Sequence, residues 1–154
     1  ILYGHPGIGK TSIACAICND LDMRYRSLNA VINNKKDFDV VIEEAKMYGG
    51  MIVIVDEIHR LNKDKQDILL PYLESGIITL IGMTTSNPYH SINPAIRSRC
   101  QLFELKELTV DNIKSGIDKA ILSGYLEGIS IDDEAKEYFN ILVKENELDP
   151  ELEE

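Results

Sequence analysis

The sequence contains no tryptophan, and aromatic residues fill only 6% of its 154 positions. That scarcity argues against an aromatic platform on which nucleobases could stack. Positive charge is also in short supply: 16 Lys+Arg against 26 Asp+Glu give 16 − 26 = −10. Such a balance excludes a broad basic surface that grips nucleic acid by itself, though not a local patch. Long apolar runs are missing too. None, the run from Met51 to Val55 included, comes near the about 18 residues of a membrane-spanning helix, so no membrane partner is expected. No basic segment precedes an apolar one in the manner of a signal peptide. Three cysteines, an odd number, make no disulfide framework, and a reducing, cytoplasmic setting is expected.

What is present is the composition of a globular chain, 44% hydrophobic and 27% charged. A chain of this size can bury about 68–70% of its extended surface, enough for one core. It opens on Ile1, already inside a strand pattern, and closes on an acidic run, so it reads as part of something longer.

Apolar strands alternate with amphipathic helices. Strands are expected over 1–3, 24–28, 51–55, 77–83 and 101–105. Helices are expected over 10–21, 38–48 (Asp37 as N-cap, Gly49-Gly50 as stop), 64–75 (kinked or broken at Pro71) and 93–98. That alternation predicts an α/β fold: a five-stranded parallel sheet with helices on both faces. After Leu105 only helical patterns remain, over 110–126 and 132–144. The expected division is an α/β core over 1–106 and a helical piece over 107–154.

The strongest motif is Gly4-His5-Pro6-Gly7-Ile8-Gly9-Lys10-Thr11, followed by Ser12. It fits the G-x-x-x-x-G-K-[ST] phosphate-binding loop and lies between a strand and a helix, as that loop requires. Glycines let backbone N–H groups approach phosphate oxygens, and the helix that starts there points its positive end at them. Lys10 would reach the terminal phosphates, and the Thr11 hydroxyl would ligate Mg²⁺. A glycine-rich turn with a chance lysine is the bland alternative, and the flanking elements count against it. About 45 residues on, the strand from Met51 ends in Asp56-Glu57. Ligands of open α/β sheets sit at the carboxyl ends of strands, so Asp56 would face the metal and Glu57 would activate water. The next strand ends in Thr84-Thr85-Ser86-Asn87-Pro88, polar groups near the expected γ-phosphate. Arg97-Ser98-Arg99-Cys100 precedes the last strand, where an arginine can serve a neighbouring subunit's nucleotide in trans.

Together these residues resemble the AAA+ ATPases, a branch of the P-loop NTPases. In that resemblance the glycine loop is Walker A and Val53 to Glu57 is Walker B. Ser98-Arg99-Cys100 looks like the clamp-loader-type arginine finger. Thr85 falls at sensor 1, with Asn87 the close alternative. Asn29 matches the polar residue that can hold the Walker B glutamate away from water. The stretch from Asp56 through Lys63, with Gln66-Asp67, Leu69-Leu70-Pro71, the Ile78 to Thr85 strand, Asn87-Pro88 and Asn93-Pro94-Ala95, is similar to the replication-associated recombination protein A family. That family is also called the MgsA or Werner-helicase-interacting ATPase family. The resemblance implies an oligomeric, DNA-dependent ATPase that uses ATP and Mg²⁺ at stalled forks. It also implies homo-oligomerisation, DNA (single-stranded or forked) and single-strand-binding protein as partners, and a nucleoid-associated location.

Against the family pattern, the stretch before strand one, which helps hold adenine, and the oligomerisation domain are expected to lie outside this sequence. Val143-Lys144-Glu145-Asn146-Glu147 stands where a sensor 2 stretch, Gly-Asp-Ala-Arg, should follow Leu142. Two other readings stay open. One is a nucleotide-binding remnant or assembly module without catalysis, separated by a turnover assay with and without single-stranded DNA. The other is a clamp-loader-type subunit, separated by pull-down with a sliding clamp. Other features have plain readings. Cys15 and Cys18 lie past the first turn of their helix and read as packing residues. His5, His59 and His90 follow no zinc-ligand spacing. Lys35-Lys36 with Arg24 and Arg26 form at most a small solvated basic patch.

Overall fold

The computed structural model describes residues 1–123. Residues Ile1–Lys106 form one compact unit, and a second begins at Glu107. In the first, five parallel strands stand side by side in the order β2-β3-β4-β1-β5. They are β1 (Leu2–Tyr3), β2 (Tyr25–Asn29), β3 (Met51–Asp56), β4 (Ile78–Thr84) and β5 (Phe103–Glu104). Helices α1 (Lys10–Asp20), α2 (Lys35–Tyr48) and α3 (Lys63–Glu74) make the first three crossovers. Two single-turn helices, α4 (Pro88–Ser91) and α5 (Pro94–Arg97), lead into β5.

Strand order fixes which helix covers which face. From β1 to β2 the chain passes beyond β4 and β3; from β2 it steps back the other way. Right-handed crossovers then put α1 on one face and α2 and α3 on the other. The alternation of side chains along β3 agrees. Ile52 and Ile54 pack with Leu2, Met83 and, from α1, Ala14 and Cys18. Met51, Val53 and Val55 pack with Phe38, Val41, Ile42 and Ala45 of α2 and Leu69 of α3. Every residue from Met51 to Val55 is at most 2% exposed. This is why the run is continuous rather than alternating: both faces are covered. Each such side chain contributes about 1.5–3 kcal/mol when fully buried.

Helix ends differ from the expected ones. α2 starts at Lys35 rather than Phe38, because Asn34 is its N-cap: Asn34 Oδ1 accepts from Lys36 N at 2.8 Å. Asp37 Oδ2 in turn accepts from Asn34 N at 2.7 Å, so Asp37 is the returning member of a capping box and not the cap. Gly49 ends the helix with φ 72°, as expected of a left-handed stop. Pro71 does not end α3, which continues to Glu74. It lies in the last turn, where its missing N–H removes one bond, and buried Leu69 with packed Leu70, Tyr72 and Leu73 hold the turn. Past β4 the polar stretch Thr85-Ser86-Asn87 bends into α4, with Pro88 at its first position and Asn87 as cap. In the second unit, α6 (Val110–Leu122) begins with a reciprocal cap: Asn112 N donates to Thr109 Oγ1, and Thr109 N to Asn112 Oδ1, each at 3.2 Å. The helix expected over 110–126 ends at Leu122 among the described residues; positions 124–126 of it, and the helix expected over 132–144 with the sensor 2 position, lie outside the described residues.

Candidate functional site

The carboxyl ends of the strands carry the polar residues. Register sets Tyr3 beside Thr84, and Asn29 beside Asp56. Gly4 N donates to Thr84 O at 3.4 Å, so the glycine loop begins against the end of β4. Gly4 has φ 149°, and a Cβ there would stand 2.5 Å from the Leu105 carbonyl oxygen. Only glycine fits. Gly7 (φ 76°) and Gly9 (φ 92°) turn the loop through left-handed conformations, and Gly9 is the N-cap of α1. Having no side chain, Gly9 caps none of the first-turn N–H groups, which leaves them directed at whatever occupies the loop. His5, Pro6, Gly7, Thr11 and Ser12 are exposed; Ile8, Gly9 and Lys10 are half-buried. Lys10 Nζ donates to Gly4 O at 2.8 Å and His5 O at 2.7 Å, so the ammonium spans the loop it would serve.

Asp56 ends β3 on the α1 face, two residues on from Ile54, which packs under α1. Thr11 is in the first turn of that helix. A carboxylate and a hydroxyl on one face at one edge form an oxygen donor set suited to Mg²⁺, which keeps several waters and is otherwise bound by substrate phosphates. Asp56 Oδ1 accepts from Glu57 N at 2.9 Å, and Asp56 Oδ2 lies 3.5 Å from Asn29 Nδ2. Asn29 therefore reaches Asp56, not the glutamate that the family resemblance assigned to it. Its other contacts are local: Asn29 Oδ1 accepts from Val31 N at 2.9 Å, and Asn29 N donates to Asn33 Oδ1 at 2.8 Å.

Glu57 is held differently. It takes φ 51°, ψ 40°, a left-handed conformation that costs a non-glycine residue roughly 1–3 kcal/mol. This turns the chain into a 3₁₀ turn, Ile58–Arg60, whose Ile58 packs on Gly82 of β4. His59 Nδ1 then lies 3.3 Å from Glu57 Oε2 and 2.9 Å from Thr84 Oγ1. Thr84 belongs to the polar stretch expected near the γ-phosphate, but no role is expected for His59 and none for the pair. They are 25 residues apart, and no spacing rule joins a histidine after one strand to a threonine ending another.

Thr85 follows β4 directly and is exposed. Asn87 is also exposed, but its Oδ1 accepts from Tyr89 N at 2.9 Å as the cap of α4, which makes Thr85 the freer of the two. Arg99 is elsewhere. It pairs with Glu74, the last residue of α3, and donates to Ala95 O at 2.7 Å. Glu74 leads into the start of β4, whereas the loop abuts its end, and the seven residues of β4 span about 20 Å. Arg99 is thus separated from the phosphate loop of its own chain.

The weaker features stay structural. Cys18 is buried, and burial pushes its thiol up, away from the reactive thiolate. Arg26 grips Glu44 through two bonds of 2.8 and 2.7 Å, and Arg24 stacks 4.2 Å over Tyr48, so these arginines do not form an open basic patch. Among the described residues no helix is long and apolar enough to cross a membrane.

A model of the ATPase family associated with various cellular activities (AAA) matches residues 1–108. The chain is 59% identical over 145 residues to replication-associated recombination protein A of Bacillus subtilis (strain 168), covering 90% of this chain and 34% of that protein. It is 43% identical over 125 residues to ATPase WRNIP1 of Dictyostelium discoideum, covering 79% of this chain and 14% of that one. Among solved structures, the Thermotoga maritima RuvB Holliday junction branch migration motor superposes with a TM-score of 0.69 at 28% identity, over 88% of this chain and 46% of that chain. The chain spans about a third of the length of the Bacillus subtilis relative, 34%.

Proposed function

The chain belongs to the AAA family of ATPases, and from that premise we propose that it binds Mg²⁺·ATP and hydrolyses it as the motor module of an oligomer acting on DNA in replication or recombination. Its relatives in sequence and fold are named for recombination and branch migration. The α/β core over 1–106 is the nucleotide-binding domain in this reading, and residues 107–154 are part of its helical lid.

One observation carries the chemistry. β4 stands between the strand that opens the phosphate loop and the strand that ends in Asp56 and Glu57. Two strand spacings make about 10 Å. That gap admits the terminal phosphate and an attacking water between loop and carboxylates.

The loop amides and Lys10 hold the phosphates once the ammonium has exchanged the Gly4 and His5 carbonyls for phosphate oxygens. Thr11 and Asp56 would hold Mg²⁺, which when bound would supply positive charge for the phosphate oxygens. Glu57 accepts a proton from water and orients its attack. Thr85 senses the γ-phosphate, with Asn87 as the alternative. Arg99, being a strand's length from its own loop, completes a neighbour's site, so hydrolysis depends on homo-oligomer assembly. DNA, single-stranded or forked, is engaged by the oligomer, with single-strand-binding protein as a further partner in a nucleoid setting.

The test is turnover against binding. In Glu57→Gln, calorimetric titration with Mg²⁺·ATP should give native affinity while phosphate release falls at least about 100-fold. Unchanged turnover would remove Glu57 from its role. An absence of binding in the native chain would reject the ATPase reading for it.

A further inference from the structure

We propose that His59 is the positioning residue for Glu57, carrying its hydrogen on Nδ1 and turning that N–H toward the carboxylate, with Thr84 setting the position of the ring. This rests on the reading that Glu57 activates water.

A single nitrogen, His59 Nδ1, stands 3.3 Å from Glu57 Oε2 and 2.9 Å from Thr84 Oγ1. An ionised carboxylate only accepts, so the contact with Glu57 is attractive only if Nδ1 bears hydrogen. A lone pair on Nδ1 would face the negative oxygen and push it away. With hydrogen on Nδ1, the Thr84 hydroxyl need not donate to the ring, because Ser86 O offers an acceptor at 3.3 Å. Its lone pair meanwhile accepts from Ser86 N at 3.0 Å. Its other lone pair accepts from Nδ1–H at 2.9 Å, so every group is matched, and Glu57 Oε2 meets the same N–H at 3.3 Å as a looser charge–dipole contact.

The placement is built rather than incidental. The His59 side chain is 12% exposed, and Thr84 is 1% exposed. The left-handed Glu57 and the packing of Ile58 on Gly82 bring the ring over the end of β4. Thr84 also receives the first amide of the phosphate loop on its carbonyl. One residue of β4 therefore ties the loop, through its backbone, to the carboxylate, through His59. Glu57 Oε2 is engaged by the ring and Oε1 is left to take a proton from water. A fixed carboxylate meets water in one geometry, whereas a free one samples many.

Two measurements test this. The first needs no nucleotide: the ring ¹⁵N shifts of His59 in the labelled chain at pH 8, assigned by the signal lost in His59→Gln. Hydrogen on Nδ1 is expected in the native chain, and a shift toward the Nε2–H form in Glu57→Ala. Hydrogen on Nε2 in the native chain, or the same tautomer in both, overturns the proposal. The second is turnover. His59→Ala should lower kcat about tenfold, the scale seen for lost orienting partners, while KM changes less than about twofold. His59→Asn, whose amide can donate from near the Nδ1 position, should recover most of the loss. Native kcat in His59→Ala, or no recovery in His59→Asn when both variants retain native melting temperatures, overturns it. If the native chain turns over no ATP, the ATPase reading fails on its own, and the tautomer still decides whether His59 holds Glu57.

Discussion

Replacing Gly4 with alanine should damage the fold more than the same change at the other loop glycines. A Cβ on Gly4 would lie 2.5 Å from Leu105 O, a backbone atom that cannot swing aside. Moving it would disturb the bond from Leu105 N to Tyr3 O at 2.8 Å, which helps join the two-residue strands β1 and β5. Overpacking of this kind costs about 1–3 kcal/mol, and φ 149° adds strain of about 1–3 kcal/mol, for about 2–6 kcal/mol in all. Gly7 differs: φ is 76°, but nothing lies within 4 Å of an added Cβ. Gly7→Ala therefore carries only the strain term. For a chain of this length each kcal/mol lowers the melting temperature by about 2–4 °C. Circular dichroism at 222 nm should show Gly4→Ala melting about 4–24 °C below native, and Gly7→Ala within about half that loss. Equal losses would refute the claim that the Leu105 carbonyl, rather than positive φ, dictates glycine at position 4.

Other expectations follow from the same geometry. Lys10→Ala should abolish measurable Mg²⁺·ATP binding by calorimetry yet shift the melting temperature by less than about 3 °C, because its two carbonyl bonds lie in a partly exposed loop. Arg99→Ala should leave nucleotide binding by the isolated chain at the native level, and any activity lost in an oligomer should return in part when its subunits are mixed with Glu57→Gln subunits. Recovery never appearing would remove Arg99 from a neighbour's site. The Arg26 guanidinium bonded to Glu44 holds that carboxyl below its usual range. A lowered pKa means stability that is present above the unfolded value, near pH 4.3, and lost as pH falls through the folded one. The melting advantage of native over Glu44→Gln should thus be constant from pH 8 to about 5 and shrink below about 4.3. Because the arginine is exposed, it should also shrink in 1 M salt.

What the sequence determined by itself was the set of local decisions. The apolar run at Met51 announced a strand covered on both faces, since each side chain in it must be buried. The glycine loop announced a phosphate site, because positive φ and helix-start amides are properties of a few adjacent residues. Asn34 with Asp37 also held a capping box that was legible in principle, since the pattern is local, but Asp37 was mistaken for the cap. Contacts between elements distant in the chain depend on how the sheet assembles. The order of strands, with β4 between loop and carboxylates, follows from crossover direction and not from any one segment. Asn29 turned out to face Asp56, because strand register rather than motif position sets which carboxylate it meets. Arg99 went to Glu74, a strand's length from its own loop. His59 looked like a stray histidine until the left-handed turn at Glu57 and the bare backbone of Gly82 brought it onto Thr84. Local chemistry is written residue by residue; the pairing of groups 25 positions apart exists only once the sheet has closed.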